Sequence, residues 1–120
     1  MKLLKQENIN ELKHKALDLI AKTSVELGHR TDSKTLAALS KILAEDLINE
    51  RRFGNMTFNQ IQDAFHQGVR FCDFEPFLNV RTFYRWIAAH KKIIDDAVYK
   101  TETLKERNVS FYQKPIKLLK

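Results

Sequence analysis

The chain has 120 residues, of which 43% are hydrophobic and 30% charged, and its formal net charge at pH 7 is +6. The apolar share is large enough to build a core, which argues against a wholly disordered chain, and no segment approaches the roughly 20 consecutive apolar residues of a membrane-spanning helix. The single cysteine, Cys72, excludes an intramolecular disulfide and is typical of a reducing compartment, so we expect a cytoplasmic protein of one domain.

Apolar residues at three- and four-residue steps predict the first two helices. The first covers about residues 8–27 and ends before Gly28, a residue that commonly follows the last turn of a helix. Asp32 is a favourable N-cap for the second helix, over about residues 33–52. Each helix has one apolar face, as expected for helices that pack together in a bundle.

The third helix has the clearest start signal in the sequence. Thr57 and Gln60 match a capping box, in which two side chains satisfy backbone N–H groups of the first turn. Met56 and Ile61 stand at the positions of a hydrophobic staple, which fixes the direction from which the chain enters the helix. Its predicted buried face comprises Phe58, Ile61, Ala64, Phe65 and Val69.

A loop over residues 71–79 separates the third helix from a fourth. Pro76 disfavours the helical conformation at the residue before it, yet the segment is strongly apolar, so we expect an ordered loop that folds onto the core. The loop residues predicted to be buried are Phe71, Phe74, Phe77 and Leu78. Asn79 caps the fourth helix, over about residues 80–104, which we expect to project from the domain beyond about Ile94. Its predicted buried face comprises Val80, Phe83, Tyr84, Ile87, Ile94, Ala97 and Val98.

These elements predict an all-α fold, a compact bundle of four helices with an ordered aromatic loop between helices 3 and 4. The predicted domain covers residues 1–107. Residues 91–120 carry 8 basic and 4 acidic residues, so most of the net positive charge lies in this part of the chain. Pro115 interrupts the last stretch, and we therefore expect residues 108–120 to form a flexible basic C-terminal tail that becomes ordered on a partner.

The sequence contains no catalytic or metal-binding pattern. Its glycines are isolated and form no phosphate-binding loop, and no nucleophile elbow is present. Four residues with metal-ligating side chains flank the loop but lack the close pairing of zinc ligands; they are His66, Cys72, Asp73 and His90. The sequence therefore predicts a protein that is not an enzyme and that binds no metal or cofactor.

The start of the fourth helix is typical of the recognition helix of a helix-turn-helix module. Arg81 and Arg85 lie four residues apart on one face, an arrangement suited to phosphates or guanine edges. Two observations oppose this interpretation: the connection to helix 3 exceeds the three- or four-residue turn of the module, and residues 57–90 carry no net charge. The alternative is that the neighbouring aromatic residues form core and that both arginines are merely solvated.

The C-terminal quarter carries a second candidate binding region. Its positive charge, together with Phe111 and Tyr112, is typical of a surface that holds single-stranded nucleic acid by charge and base stacking. Docking of a partner protein and a terminus that only solubilises the chain are the alternatives. The basic residues of this region are Lys91, Lys92, Lys100, Lys105, Arg107, Lys114, Lys117 and Lys120.

Two segments carry a resemblance to a known class of proteins. The pattern Thr57-Phe58-x-x-Ile61-x-x-Ala64-Phe65-x-x-Gly68-Val69-Arg70 is followed by Leu78-Asn79-Val80-x-Thr82-Phe83-x-x-Trp86-Ile87-x-Ala89. It resembles small helical proteins of phages and mobile elements that are similar to replicative helicase-loader proteins. The resemblance implies a helical domain with a flexible C-terminal tail that contacts a replicative helicase or DNA. Where this class has small or charged residues after the glycine helix, the chain has Phe71-Cys72-Asp73-Phe74.

The sequence leaves three functions open. The first is a non-enzymatic DNA-replication accessory protein, helicase-loader-like, that binds a replication protein, DNA or both through helices 3 and 4 and the basic tail. The second is a helix-turn-helix-like DNA-binding regulator that uses Arg81 and Arg85. The third is a protein–protein adaptor or inhibitor of phage or mobile-element origin. None of the three involves a membrane.

Overall fold

The computed structural model describes the backbone of residues 2–113 and the side chains of residues 2–101. Within these residues four α-helices follow one another: α1 (Ile9–Glu26), α2 (Ser33–Asn49), α3 (Phe58–Phe71) and α4 (Val80–Gln113). Short 3-10 helices, Leu4–Gln6 and Arg51–Phe53, precede α1 and follow α2. The described residues contain no β-strand, and the predicted all-α bundle of four helices is confirmed.

The predicted start of α3 and end of α1 are both confirmed. Thr57 Oγ1 accepts a hydrogen bond from the backbone N–H of Gln60 at 3.3 Å, and Gln60 Oε1 accepts one from the backbone N–H of Thr57 at 2.9 Å. Gly28 follows α1 with a φ of +75°, a left-handed conformation that glycine adopts without steric cost. Local sequence signals therefore account for both of these helix limits.

The core is formed by one apolar face of each helix. An aromatic cluster of Phe65, Phe83 and Trp86 joins α3 to α4, with ring centroids 5.0 to 6.3 Å apart. Aromatic pairs at such distances contribute about 0.5–1.5 kcal/mol beyond the burial of their area. The buried core residues of the four helices are Leu12, Ala16, Leu19 and Ile20 in α1, Leu43, Ala44 and Leu47 in α2, Phe58, Ile61, Ala64 and Phe65 in α3, and Phe83, Trp86 and Ile87 in α4.

Helix α2 ends at Asn49 rather than near Arg52 as predicted. The chain turns there into the second 3-10 helix, which buries Phe53. The ring of Phe53 lies 5.6 Å from that of Tyr84 on α4. Through this ring contact, the 3-10 turn packs the end of α2 against the first half of α4.

Helix α4 continues to Gln113, beyond the predicted end near Leu104. Neither glycine nor proline occurs between that predicted end and Pro115, so no residue type in this stretch breaks a helix. Residues 108–113, assigned to the tail by the sequence, therefore continue α4. The rest of the predicted tail, residues 114–120, lies outside the described residues.

The second half of α4 projects from the bundle, as expected from its polarity. All side chains from Asp95 to Thr101 are exposed, and the longest dimension of the molecule is 70 Å. The predicted burial of Ala97 and Val98 is therefore wrong, since Val98 is 51% exposed. The physical reason is length: α3 has 14 residues and α4 has 34, which correspond to about 21 Å and 51 Å of helix.

The loop between α3 and α4 is only partly buried. Phe74 and Leu78 pack against the core as predicted. Phe71 is 73% exposed and Phe77 is also exposed, so their predicted burial is wrong. Phe71 lies in the last turn of α3, where the bundle has no further element to cover it.

In the part of the chain that the structure describes, no helix combines the length and the apolar character needed to cross a bilayer.

Candidate functional site

A groove of about 350 Å³ lies where the end of α3, the loop and the middle of α4 meet. Phe71 and Cys72 form one wall, Phe74 of the loop forms the end, and Trp86 and Ile93 of α4 form the other wall. We call this feature the α3–α4 groove. Its lining is mostly apolar, which is typical of sites that bind an apolar group with a few polar contacts.

The close approach of α3 and α4 beneath the groove depends on Gly68. A Cβ atom at this position would lie 2.3 to 2.4 Å from three ring atoms of Trp86, far inside van der Waals contact. The indole therefore lies directly against the α3 backbone, and Phe65 meets it edge-on at 5.4 Å. The Trp86 ring is thus held by residues of α3 and by Phe83 of its own helix, whose ring lies 6.3 Å away.

Two polar side-chain atoms at the groove are buried without a hydrogen-bond partner among the described residues. They are Trp86 Nε1 and His90 Nδ1, on side chains one helical turn apart that both line the groove. Leaving a buried donor or acceptor unsatisfied costs about 1–3 kcal/mol. Both atoms are covered by the packing of α3, the loop and α4, so this cost belongs to the packing beneath the groove and not to its open surface.

Exposed apolar side chains border the groove. Phe71 lies on the α3 side, and Ile93, which is 63% exposed, lies on the α4 side. Isolated apolar residues on a surface need no explanation, but apolar side chains grouped around an apolar groove are typical of interaction sites. Both side chains gain free energy if a partner covers them.

The apolar face of α4 continues past the groove. Ile87 is buried and Ile94 is half-buried, and Ala97 and Val98 extend the same face at helical spacing. On the projecting half of the helix this face is exposed. Of these residues only Ala97, four residues after Ile93, lies on the side of α4 that lines the groove.

Arg85 stands at the edge of the groove. Its guanidinium carbon lies 3.9 Å from the centroid of the Phe74 ring, which it covers. Arg81, one turn earlier, is exposed as well. Within the described residues, neither arginine takes part in an ion pair.

Three cations lie on one outward face of α4. Arg81, Arg85 and Lys92 are separated by four and seven residues, so they follow one side of the helix over about 16 Å. All three are exposed and none forms an ion pair with another described residue. We call these three residues the basic row.

The other predicted binding residues are not brought together in this way. Lys91 Nζ donates to Asp95 Oδ2 at 2.6 Å, and Lys100 is exposed on the projecting half of α4. The backbone of four further residues belongs to α4 while their side chains lie outside the described set; these are Lys105, Arg107, Phe111 and Tyr112. The predicted contributions of Lys114, Lys117 and Lys120 fall entirely outside the described residues.

Sequence reasoning missed the groove itself. It named Gly68 and Trp86 only within the two segments that carry the resemblance and did not place them against each other. The structure places Gly68 inside α3, in close contact with Trp86. Ile93 is the residue that could have indicated the groove from the sequence. It is apolar, but it lies outside the main apolar stripe of α4, which contains the neighbouring Ile94.

Among the described side chains, no three from His, Cys, Asp and Glu are grouped so as to hold a metal ion. What the groove offers is apolar contact and a neighbouring cation, Arg85.

No protein-family model matches the chain, and no curated protein and no solved structure is significantly similar to it. Its function is therefore inferred from the α3–α4 groove and the basic row.

Proposed function

We propose that this chain is a non-enzymatic binding protein that docks a helical segment of a partner protein in the α3–α4 groove. The observation that carries the proposal is an apolar groove with exposed apolar side chains at its edge. Recognition of an amphipathic helix uses a concave apolar surface of this kind.

The dimensions of the site suit a short helix. From Arg85 to Ile93 the groove follows α4 for about 12 Å, or roughly two helical turns. Ala97, one turn beyond Ile93 on the same side of α4, is exposed and adds about 6 Å. Covering Phe71 and Ile93 completely is worth about 1.5–3 kcal/mol for each side chain. Part of this gain is offset by the entropy of association, so a modest affinity is expected.

The resemblance to helicase-loader proteins supports a replicative helicase as the first partner to test. The two segments that carry the resemblance, residues 57–70 and 78–89, include all of α3 except Phe71 and the first ten residues of α4. These are the two helices that form the groove. An accessory role in DNA replication is therefore part of the proposal, with the groove as the contact site.

The test compares three forms of the full chain in affinity capture from the native host, after nuclease treatment. Ile93→Glu places a charge at the edge of the groove, whereas the control Val25→Glu places the same charge on α1, at a position that is 77% exposed. We expect the wild type and the control to retain the same partner protein. Once this partner is identified and purified, its affinity for each form is measured by calorimetry. Ile93→Glu should weaken that binding at least tenfold, about 1.4 kcal/mol. Equal binding by all three forms would rule out the groove.

DNA binding by the basic row is the second candidate, and three exposed cations without ion pairs support it. Phosphate neutralisation makes the affinity depend on salt, and the logarithmic slope of that dependence falls by about 0.9 for each phosphate that a variant no longer neutralises. A helix-turn-helix arrangement is less favoured, because residues 72–79 separate α3 from α4 and exceed the short turn of that motif.

Substituting all three residues of the basic row with glutamine separates the two candidates. The DNA affinity of this variant is measured by the fluorescence anisotropy of labelled duplex DNA. A matched control replaces Lys22, Lys34 and Lys41, which are exposed on α1 and α2. If the basic row binds DNA, the DNA affinity of the basic-row variant should depend less steeply on salt than that of the control. If both variants bind as the wild type does, the basic row does not contact DNA.

A further inference from the structure

We infer that the projecting half of α4 pairs with a helix of a partner protein, as a short coiled coil in which the partner supplies acidic flanking residues. This surface is separate from the α3–α4 groove, so the inference goes beyond the docking function proposed there. Two observations carry it: the spacing of apolar positions on the projecting half, and the charges on either side of them.

A row of mostly apolar positions follows the projecting half of α4 at alternating steps of three and four residues. Its residues, which we call the α4 seam, are Ile94, Ala97, Thr101, Leu104, Asn108 and Phe111. All of them lie on the described backbone of α4. Such steps average about 3.5 residues, the repeat that keeps one side of a helix facing a second helix in a coiled coil.

The α4 seam lies beside the groove and not within it. Ile93 lines the groove, whereas Ile94 is turned from it by about 100° around the helix axis. Ile94 is half-buried at the edge of the bundle, and Ala97 and Thr101 are exposed. From its first residue to its last the seam is about 26 Å long. It therefore offers a long, narrow contact surface, which suits a second helix.

The charged residues next to the α4 seam are all cations. With the seam at positions a and d of a heptad, the flanking positions e and g between Lys91 and Gln113 hold four cations and no acid. These cations are Lys91, Lys100, Lys105 and Arg107. The acidic residues of this stretch fall at positions b, c and f, away from the seam; they are Asp95, Asp96, Glu102 and Glu106.

The described part of these flanks leaves one cation unpaired. Lys91 Nζ is paired with Asp95, but Lys100 is exposed and forms no ion pair with another described residue. Residues at positions e and g determine which helices pair, because they meet across the interface. Glutamate or aspartate at the flanks of a partner helix therefore complements this side of α4.

The same charges oppose the pairing of two copies of this chain. In a parallel pair, each g residue meets the following e residue of the other helix, so Lys100 would meet Lys105. In an antiparallel pair, g positions meet g positions and e positions meet e positions. Both kinds hold cations and no acid between Lys91 and Gln113. Like charges at these positions select against self-association, and the partner is therefore a different chain.

An anionic membrane fits the projecting half less well than a helix does. Helices that lie on membranes carry a wide apolar face and a polar face rich in lysine and arginine. Here the seam includes Thr101 and Asn108, and the side away from it holds four acidic residues. A polar residue at an a position, by contrast, is typical of coiled coils, where it specifies the register of the two helices.

The test uses two synthetic helices of about 28 residues, or four heptads. They share the same apolar a and d positions, and their e and g positions carry glutamate in one peptide and lysine in the other. Each is titrated into the full chain and the binding is measured by calorimetry. We expect the acidic peptide to bind at least tenfold more tightly than the basic one. This ratio should fall as salt is added, because the flanking charges are exposed to solvent.

A charge reversal at the flank tests the electrostatic part. Lys100→Glu should reduce the preference for the acidic peptide at least threefold. The matched control is Lys92→Glu, which makes the same change on the same helix at an f position, and which should leave the preference unchanged. Equal effects of the two variants would mean that the net charge of the chain, and not the side of α4, selects the peptide.

A substitution within the seam tests the apolar part. Leu104→Asp should weaken binding of the acidic peptide at least tenfold. This position is about 16 Å further along α4 than Ile93, so the groove and the partner docked there should be unaffected. Loss of peptide binding in Leu104→Asp with docking retained supports two separate sites, whereas unchanged peptide binding overturns the coiled coil and leaves the proposed function intact.

Two further measurements decide between the occupants. Sedimentation of the wild type should show a monomer at tens of micromolar; a dimer that Leu104→Asp dissociates would make a second copy the occupant and overturn the inference. Vesicles that contain phosphatidylserine should not bind the chain more tightly than the acidic peptide does. Tighter binding to vesicles, together with equal affinity for the two peptides, would make a membrane surface the occupant instead.

Discussion

The two halves of α4 form one continuous helix but differ in what surrounds them. In the first half, Phe83, Trp86 and Ile87 are buried against α3 and the core. The side chain of Asn79 caps this half, accepting a hydrogen bond from the backbone N–H of Thr82 at 2.8 Å. Tertiary packing and a local cap thus act together at this end of the helix.

In the second half, the stabilising contacts of the described residues are local. Lys91 is paired with Asp95, and Thr101 Oγ1 donates to the carbonyl oxygen of Ala97. An ion pair four residues apart on an exposed helix contributes only about 0.3–0.5 kcal/mol. Most helical stability in proteins comes from packing of an amphipathic face. The comparison therefore indicates that this half has the most to gain from a partner.

The largest expected effect distinguishes the two halves directly. Phe83→Ala removes a fully buried ring and should lower the free energy of unfolding by about 3–5 kcal/mol. Val98→Ala, on the projecting half, should change it by less than about 0.5 kcal/mol, because an exposed position loses little packing. Urea denaturation followed by circular dichroism measures both. A similar loss in the two variants would mean that the second half of α4 is packed in solution.

The next effect tests the contact that fixes Trp86. Alanine is normally favoured over glycine inside a helix by about 1 kcal/mol. At position 68, however, a Cβ atom would overlap with the indole, and overpacking of a core costs about 1–3 kcal/mol. We expect Gly68→Ala to destabilise the protein and to shift the Trp86 emission. A stabilised variant with unchanged fluorescence would show that the two helices have room to separate.

The fold was predictable because its signals are local. Spacing of apolar residues predicted all four helices, and the capping box of Thr57 and Gln60 predicted the start of α3 correctly. These patterns act within one or two turns of chain. They do not record how far a neighbouring helix extends, so the burial of Ala97 and Val98 was predicted wrongly. The end of α3, and not any feature of α4, determines where the apolar face becomes exposed.

The candidate site was less predictable, since it depends on distances between elements. Lys91 and Lys92 carry the same positive charge and are neighbours in the chain, but only Lys91 is paired with an acidic residue in the described structure. The role of Arg85 at the groove likewise depends on Phe74 of the loop, which no helical periodicity connects to it. A groove between two helices is visible only when their separation is known.

The smallest expected effect concerns the contact between α2 and the first half of α4. Burial, together with a hydrogen bond to the carboxylate of Asp46, raises the pKa of Tyr84 from 10.0 to about 12. Between these two values the folded chain keeps a proton that the unfolded chain has released, so rising pH favours unfolding. The stability that Tyr84 contributes is therefore complete below pH 10 and is lost as the pH rises towards 12.

Tyr84→Phe isolates this contribution. At neutral pH the variant should lose about 1 kcal/mol, the usual net value of a hydrogen bond. The difference from the wild type should shrink as the pH rises from 10 towards 12, because only the wild type carries the ionisable hydroxyl. The control is Tyr99→Phe on the exposed half of α4, followed over the same pH range by urea denaturation. A constant difference between Tyr84→Phe and the wild type would mean that the Tyr84 hydroxyl ionises alike in both states, so that the first half of α4 does not hold it against α2.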